Sequence, residues 1–376
     1  MKKIGVLGGG AMGAGIAQVA AQAGHPVIIV DLQEAALERG INGIESSLSK
    51  AVEKGKMTEE SKQQTLSNIQ TNTSVSSFEG CELVIEAIIE KLEIKQSVFK
   101  QLDELLPSHC IIASNTSSLS ITSIASVCAH PERILGLHFF NPAPLMPLVE
   151  IIPATQSKME YAEDLKRLML SWKKVPVIAK DLPGFIVNRV ARPYYSEALR
   201  IYDEGIASQP EIDAAMRALG FKMGPFELMD LIGHDVNYAV TESVFTAFYF
   251  DPRFKPSLTQ KKLVEAGWFG RKSGRGFYTY PDGCPEVQLN AEKQQQIQNR
   301  ILAMLINEAC DSHYYGLASE EDLDLAMTKG VNYPKGLLTW GNEIGFNQVG
   351  IWMNDLMNEY GDDRYRMSVG LKKRMS

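Results

Sequence analysis

One histidine and one glutamate stand out because each interrupts an otherwise apolar stretch of the chain. The segment "ILGLHFFNPAPLMPLVEII" (residues 134–152) has the pattern of two short strands joined by a proline-rich loop. His138 falls in the first strand and Glu150 in the second. A histidine can take a proton from an alcohol near neutral pH, and a buried carboxylate can hold its ring in one tautomer. The alternative is a buried histidine that serves only packing and one hydrogen bond.

A glycine-rich motif near the start of the chain predicts a dinucleotide site. "KKIGVL" is typical of a buried strand, and Gly8, Gly10 and Gly13 follow it in G-x-G-x-x-G spacing before a helix of small residues. The first glycine permits a tight turn, the second lets the backbone approach a pyrophosphate, and the third lets helix and strand pack closely. The N-terminus of the helix, with Ala11 and Met12, is then expected to face the phosphates.

An acidic residue about twenty positions beyond the glycine motif indicates which cofactor binds. Asp31 ends the second predicted strand, "PVIIVD". A carboxylate at this position can bind both ribose hydroxyls of NAD and repels the 2′-phosphate of NADP. The next residues are Leu32, Gln33 and Glu34, so no arginine follows to hold that phosphate. The sequence therefore predicts NAD.

Further apolar runs extend the same fold. "CELVIEAII" and "CIIASN" are typical of strands in a parallel sheet, and "KLEIKQSVFKQLDELL" between them supplies a crossover helix. Glu90 follows the first strand, and Asn115 and Ser117 follow the second. Ligands of an open parallel sheet bind at the carboxyl ends of its strands, so these residues are expected to face substrate or nicotinamide. For a single serine here, a helix cap is the alternative.

The second half of the chain contains an internal repeat. Residues 188–216 align without gaps to residues 299–327, an offset of 299 − 188 = 111. The identical pairs include Asn188/Asn299, Glu197/Glu308, Gly205/Gly316 and Asp213/Asp324. The sequence predicts an α/β Rossmann-type nucleotide-binding domain over 1–182, followed by two all-α repeat domains over 183–284 and 285–376.

Composition narrows the functional class. The 376 residues are 45% apolar and carry a net charge of −7, which argues against a nucleic-acid binder. Five cysteines without CxxC spacing indicate a reducing compartment and predict neither a disulfide framework nor a metal site. No apolar run is long enough for a membrane span, and the glycine-rich start reads as folded structure rather than as a signal peptide. We therefore expect a cytoplasmic protein.

Taken together, the motifs resemble the L-3-hydroxyacyl-CoA (3-hydroxybutyryl-CoA) dehydrogenase family. The matching segments, in the family's order, are "GGGAMGAGIA", "VIEAIIEKLEIK", "SNTSSLSITSIA", "GLHFFNPAPLMPLVEII", "KDLPGFIVNRV", "GPFELMDLIG" and "GRKSGRGFYTY". They cover residues 1–282, and the rest looks like the second C-terminal module of multifunctional fatty-acid oxidation enzymes. The resemblance implies NAD-dependent oxidation of L-3-hydroxyacyl-CoA to 3-oxoacyl-CoA, and the reverse, in β-oxidation or a related acyl-CoA pathway.

The resemblance also implies roles for single residues. His138 looks like the catalytic base and Glu150 the carboxylate paired with it, while Ser117 and Asn188 are similar to the polar pair around the substrate's C3 oxygen. The positions that match contacts to the nicotinamide half of NAD are Glu90, Lys95, Ser117, Asn141 and Lys272.

Two further positions, Ser47 and Lys54, match contacts to coenzyme A and give a purpose to the long polar helical stretch after Asp31. Pro147 departs from the family, which commonly has lysine before "LVE", and this puts the local loop geometry in doubt. Lys50 and Lys56 lie close to Lys54 in the chain and could also meet an anionic ligand. A solvated helix face is the alternative for these lysines.

Three alternatives remain open at the level of the sequence. The chain could be a relative acting on a free sugar or hydroxy acid, such as an L-gulonate 3-dehydrogenase or λ-crystallin-like protein. It could also be an inactive structural homologue, although the set Ser117, His138 and Glu150 weighs against that. Because Asn299 repeats Asn188 in a module without a histidine, helix packing is the alternative for Asn188.

The repeat further predicts a monomer, in which the second helical domain replaces a dimer partner.

Overall fold

Residues 2–375 are described by a computed structural model and form two compact units, one ending at Leu182 and the other beginning at Pro183. The first unit is built on an eight-stranded sheet in the order β3-β2-β1-β4-β5-β6-β7-β8. The strands are β1 Ile4–Leu7, β2 Val27–Val30, β3 Ile69–Asn72, β4 Leu83–Glu86, β5 Ile111–Ser114, β6 Ile134–Phe139, β7 Leu148–Pro153 and β8 Val175–Ile178.

Neighbouring strands of this sheet run parallel with one exception, because β7 pairs antiparallel with β6. Strands β1, β2, β4 and β5 are buried along their whole length, as expected of a sheet covered on both faces. The helices of this unit are α1 Ala11–Gln22, α2 Glu34–Glu53, α3 Glu59–Ser67, α4 Leu92–Leu105, α5 Ile121–Ala125 and α6 Met159–Ser171.

Helix α2 is amphipathic and lies close to the loop between β1 and α1. Leu37, Ile44 and Leu48 recur at helical spacing and are buried in the core of the unit. Gly40 lets the helix come near, since a Cβ there would lie 2.6 Å from the carbonyl oxygen of Gly9. The buried face of α2 is therefore held close to the glycine loop.

The second unit is a series of helices. They are α7 Val187–Val190, α8 Arg192–Asp203, α9 Gln209–Ala218, α10 Pro225–Ile232, α11 His234–Ala247, α12 Leu258–Glu265, α13 Ala291–Tyr314, α14 Glu320–Gly330, α15 Leu337–Ile344, α16 Phe346–Tyr360 and α17 Val369–Arg374. Helices α8 to α12 correspond in order to α13 to α17. Within residues 2–375, no helix combines the length and apolar character that crossing a bilayer requires.

Buried ion pairs join the two helical repeats reciprocally. Arg189 of the first repeat pairs with Glu308 of the second at 2.6 Å, and Arg300 of the second pairs with Glu197 of the first at 2.6 Å. Arg189 and Arg300 occupy equivalent positions of the two repeats, offset by 111, and so do Glu197 and Glu308. All four residues are buried. Helix α8 packs against α13 around them. The repeats thus contact each other through the same surface, as the halves of a twofold dimer do.

Candidate active site

The glycine loop between β1 and α1 has the geometry of a pyrophosphate cradle. Gly8 has φ +113°, a conformation that favours glycine, and its N–H donates to the Val30 carbonyl at 2.7 Å. A Cβ on Gly13 would lie 1.9 Å from the Gly8 carbonyl oxygen, so only glycine lets α1 start this close to β1. Gly10 caps α1 without a side chain and faces open space, with exposed Ala11 and half-buried Met12 after it. An anion can therefore approach the helix N-terminus.

The carboxylate of Asp31 lies at the edge of this loop. Its Oδ2 accepts the N–H of Gly9 at 2.8 Å and its Oδ1 accepts the N–H of Gln33 at 3.0 Å. The acid is thereby fixed at the end of β2, where it can reach the ribose of a bound dinucleotide. Gly9 was not predicted as a site residue, although its place inside the motif is a signal for it. These residues fit NAD.

A cavity of about 700 Å³ adjoins the glycine loop. One wall is the polar face of α2, and another is the proline-rich loop after β6, which carries Asn141. Ser47 and Lys54 line it together with Lys50 and Lys56, as the sequence predicted for an anionic ligand. Arg39, which the sequence did not single out, also lines it. Clustered cations of this kind suit the phosphates of a nucleotide-containing substrate.

His138 and Glu150 face each other directly across β6 and β7. The antiparallel register pairs the two residues, and His138 Nδ1 lies 2.7 Å from Glu150 Oε2. His138 is 6% exposed and Glu150 is fully buried. A carboxylate at Nδ1 selects the tautomer with its proton on that nitrogen, which leaves Nε2 as the proton acceptor. The pair predicted from the sequence is therefore assembled as a base and its orienting acid.

Glu90 holds the loop that follows β5. Its Oε1 accepts the backbone N–H of Ser117 at 3.1 Å and the hydroxyls of Ser118 at 3.0 Å and Thr116 at 2.5 Å. Although burial raises the pKa of Glu90, the Lys95 ammonium and these hydroxyls hold it below its usual value. Glu90 therefore stays ionised and fixes the backbone that carries Ser117.

Lys95 is buried between two carboxylates. Its Nζ lies 2.6 Å from Glu86 and 3.2 Å from Glu90, and the residue is 1% exposed. Glu86 also accepts the hydroxyl of Ser114 at 2.6 Å. The sequence predicted Lys95 as a cofactor contact and missed Glu86, whose signal is an acid within the apolar run "CELVIEAII". In the structure the lysine is the centre of an ionic network at the carboxyl ends of β4 and β5.

Asn115 joins two strands of the sheet. Its Oδ1 accepts the N–H of Phe139 at 2.8 Å, so the amide ties the end of β5 to β6 beside His138. An unpaired N–H near the end of β6 would be costly, so this bond stabilises the strand that carries the histidine. That Asn115 also faces the ligand stays a prediction.

Lys174 fixes the proline-rich loop and was not found from the sequence. Its Nζ donates to the carbonyls of Ala143 at 2.5 Å and Met146 at 2.8 Å, and the residue is 7% exposed. Pro147, the departure from the family pattern, accepts the N–H of Val175 at 2.8 Å. A lysine directly before β8 therefore anchors the loop that carries Asn141.

Two predicted site residues belong to the second unit. Asn188 lies in α7, and its carbonyl accepts Nε–H of Arg192 at 3.0 Å. Lys272 lies in the segment after α12 and pairs with Asp235 at 2.6 Å on the surface.

The strand, glycine loop and helix with a terminal acid, combined with a histidine–glutamate pair at the same sheet, define a dinucleotide-dependent dehydrogenase. The family model described as "3-hydroxyacyl-CoA dehydrogenase, NAD binding domain" matches residues 3–182. The model described as "3-hydroxyacyl-CoA dehydrogenase, C-terminal domain" matches twice, at residues 184–280 and 297–376. The chain therefore belongs to the 3-hydroxyacyl-CoA dehydrogenase family and is an NAD-dependent oxidoreductase.

Relatives of two lengths support this assignment. The 3-hydroxyadipyl-CoA dehydrogenase of Escherichia coli is 39% identical, over all of this chain and 97% of its own length. The mitochondrial hydroxyacyl-coenzyme A dehydrogenase of Sus scrofa is 45% identical but matches 74% of this chain. A crystal structure of 3-hydroxybutyryl-CoA dehydrogenase from Escherichia coli K12 superposes with a TM-score of 0.95 at 38% identity, covering 100% of this chain and 98% of that one. The predicted family, fold class and cofactor are confirmed.

Lys174 makes the stability of the first unit depend on pH. Burial lowers its pKa from 10.5 to about 8, so the unfolded chain binds more protons between these values. The free energy of unfolding should therefore rise with pH from about 8 to 10.5 through this group, and Lys174→Met should remove that rise. Urea unfolding midpoints of both proteins across this range measure the effect. Lys158→Met, at an exposed lysine, is the control, and equal pH slopes for Lys174→Met and wild type would contradict the prediction.

Proposed function

We propose that this protein oxidises L-3-hydroxyacyl-CoA to 3-oxoacyl-CoA with NAD, and catalyses the reverse, in fatty-acid β-oxidation or a related acyl-CoA pathway. The observation that carries this proposal is the buried His138–Glu150 pair in the sheet whose first loop fits NAD. The basic cavity beside that loop supports a coenzyme A thioester rather than a free acid.

The residues have distinct roles in the proposed reaction. His138 Nε2 removes the proton of the C3 hydroxyl, and Glu150 stabilises the imidazolium that results. Bound NAD supplies the hydride acceptor for C3, so that a C=O bond forms as the O–H and C–H bonds break. Ser117 and Asn188 would bind the C3 oxygen as it changes from hydroxyl to carbonyl. Glu90, with Lys95, would keep Ser117 in place.

The remaining predicted residues would bind the two nucleotides. Gly8, Gly10 and Gly13 form the cradle for the pyrophosphate of NAD, and Asn141 and Lys272 would contact its nicotinamide half. Ser47 and Lys54, on the polar face of α2, would hold coenzyme A. We also propose that the enzyme acts in the cytoplasm, which its five free thiols favour.

Replacing the proposed base tests the mechanism. We expect His138→Gln to lower kcat for acetoacetyl-CoA reduction by roughly two to four orders of magnitude, the usual effect of losing a general base. NADH binding, followed by fluorescence, should be nearly unchanged because the glycine loop is intact. His130→Gln, at an exposed histidine of the same unit, is the control. Turnover like that of the wild type in His138→Gln would refute the assignment.

Asp31 should determine the preference for NADH over NADPH. Exchanging it for serine and adding Leu32→Arg should shift the ratio of kcat/KM towards NADPH, because a repelling charge is lost and a phosphate partner is gained. Glu34→Gln, at the neighbouring acid, should leave the ratio unchanged. If the unmodified protein uses both cofactors equally, Asp31 does not have this role.

We further propose that the active unit is a monomer in which the second repeat takes the place of a dimer partner. The reciprocal pairs Arg189–Glu308 and Arg300–Glu197 support this, since each repeat buries the same charged surface against the other. Light scattering should give a mass near 41.6 kDa for the full chain. Removal of residues 285–376 should produce dimers or aggregates, because it exposes the apolar face of the first repeat lined by "GPFELMDLIG" and "NYAVTESVFTAFYF". A truncated chain that stays monomeric, soluble and fully active would contradict the proposal.

A further inference from the structure

Arg192, the first residue of α8, differs from the other buried arginines in having no acidic partner. The described buried arginines that pair with aspartate or glutamate are Arg133, Arg189, Arg200, Arg253 and Arg300. Arg192 is 5% exposed, yet among residues 2–375 no carboxylate forms an ion pair with it. A buried charge without a counter-charge is costly, so something must offset that cost.

The neighbours of Arg192 are all neutral. Nε donates to the Asn188 carbonyl at 3.0 Å, and Nη1 donates to Thr241 Oγ1 at 3.1 Å and to the Asn237 carbonyl at 3.4 Å. The guanidinium carbon lies 4.8 Å from the ring centre of Tyr195. Burial lowers the pKa of Arg192. Hydrogen bonds to neutral groups do not supply the opposite charge that would balance a buried guanidinium.

Other buried donors near Arg192 also lack partners. The Tyr333 hydroxyl interacts electrostatically with Arg192, is buried, and has no hydrogen-bond partner in residues 2–375. Asn237, whose backbone carbonyl contacts Arg192, has a buried side-chain Nδ2 that also lacks a hydrogen-bond partner in residues 2–375. Buried polar groups are almost always satisfied, so two groups without a partner near a buried arginine that lacks an acidic partner point to a missing acceptor.

The second repeat shows that folding does not require this polar cluster. At an offset of 111, Arg192 corresponds to buried Ala303. Helices α11 and α16 both follow a glycine with φ above +80°, which sets their offset at 345 − 233 = 112. At that offset Asn237 and Thr241 correspond to Val349 and Met353, both fully buried. The same helical module therefore packs with apolar residues where it has no arginine.

The Tyr333 hydroxyl, like the arginine, has no polar counterpart at the equivalent position of the other repeat. At an offset of 112, Tyr333 of the second repeat corresponds to Phe221 of the first. Tyr333 interacts with Arg192. The counterpart of Tyr333, Phe221, has no hydroxyl, and the counterpart of Arg192, Ala303, has no charge. Arg192 and the Tyr333 hydroxyl thus occur together, whereas their counterparts, Ala303 and Phe221, are both apolar. Polar groups at only one of two equivalent places are expected of a ligand site and not of a packing requirement.

We propose that Arg192, with the Tyr333 hydroxyl and the Asn237 amide, binds a carboxylate at the far end of the acyl chain, so that the substrate class is a dicarboxylyl-CoA thioester. This inference rests on the proposed function, in which Asn188 binds the C3 oxygen. Arg192 lies one helical turn beyond Asn188, a rise of about 6 Å. A six-carbon chain with a carboxylate at C6 spans a similar length from C3. The name of the Escherichia coli relative, 3-hydroxyadipyl-CoA dehydrogenase, describes a substrate of this class.

Two substrates of equal chain length test the proposal. The full-length protein would be assayed with NADH and either 3-oxoadipyl-CoA, which ends in a carboxylate, or 3-oxohexanoyl-CoA, which ends in a methyl group. We expect wild type to prefer 3-oxoadipyl-CoA, and Arg192→Met to lower the ratio of the two kcat/KM values by roughly 30- to 1,000-fold, as for loss of one partner of a buried charge pair. Tyr333→Phe should lower the ratio by a smaller factor.

Further variants keep the test informative. Tyr333→Phe removes a hydroxyl that makes no hydrogen bond within residues 2–375, so the fold should tolerate the change. Tyr314→Phe, at an exposed tyrosine of the second repeat, is its control. The triple variant R192A/N237V/T241M copies the residues of the second repeat and should also lose the preference.

The outcomes separate this inference from the function on which it rests. A wild-type protein that reduces neither of these substrates nor acetoacetyl-CoA would refute the dehydrogenase function itself. A wild-type protein that reduces both equally well, or an unchanged ratio in both Arg192→Met and Tyr333→Phe, would overturn the carboxylate site and leave the dehydrogenase function standing.

Discussion

The antiparallel pairing of β6 with β7 is the constraint on which the proposed chemistry depends. In an otherwise parallel sheet, this one reversal places His138 directly opposite Glu150, with 2.7 Å between Nδ1 and Oε2. A slip of one residue in the register would turn one of the two side chains to the opposite face of the sheet. The loop that allows the reversal is rich in proline and is anchored by Lys174, and that same loop forms a wall of the cavity beside the cofactor loop.

A second constraint is the chain of charges Glu86, Lys95 and Glu90. Lys95 pairs with both glutamates, and Glu90 accepts the backbone N–H of Ser117. Burying the charges of Glu86 and Lys95 is costly, and the ion pair between them offsets part of that cost. What the arrangement provides is position: the loop after β5 is fixed by a carboxylate that stays ionised. Catalysis by orientation requires supports of this kind, because small misplacements cost large factors in rate.

The sequence predicted the elements that have local signals. The glycine motif, Asp31 and the apolar strands are recognisable because spacing and composition report on one strand or one helix. Strand β3, "IQTN", was not predicted because it is polar and largely exposed at the edge of the sheet. Strand β8 was not predicted either, because it contains Pro176, a residue that only an edge strand tolerates. Supports such as Lys174 could not be predicted either, since their partners are near only after folding.

The duplication in the second unit separates residues that serve folding from residues that serve a ligand. Arg189 and Arg300 occupy the same position in both repeats, and each is paired with a glutamate of the other repeat. Their retention is explained by the contact between the repeats. Arg192 has no such explanation, because its counterpart is Ala303, which is fully buried. Two copies of one module in one chain thus act as an internal control: the arginine and glutamate positions that both copies share form the contact, and Arg192, which only the first copy has, is assigned to the proposed carboxylate site.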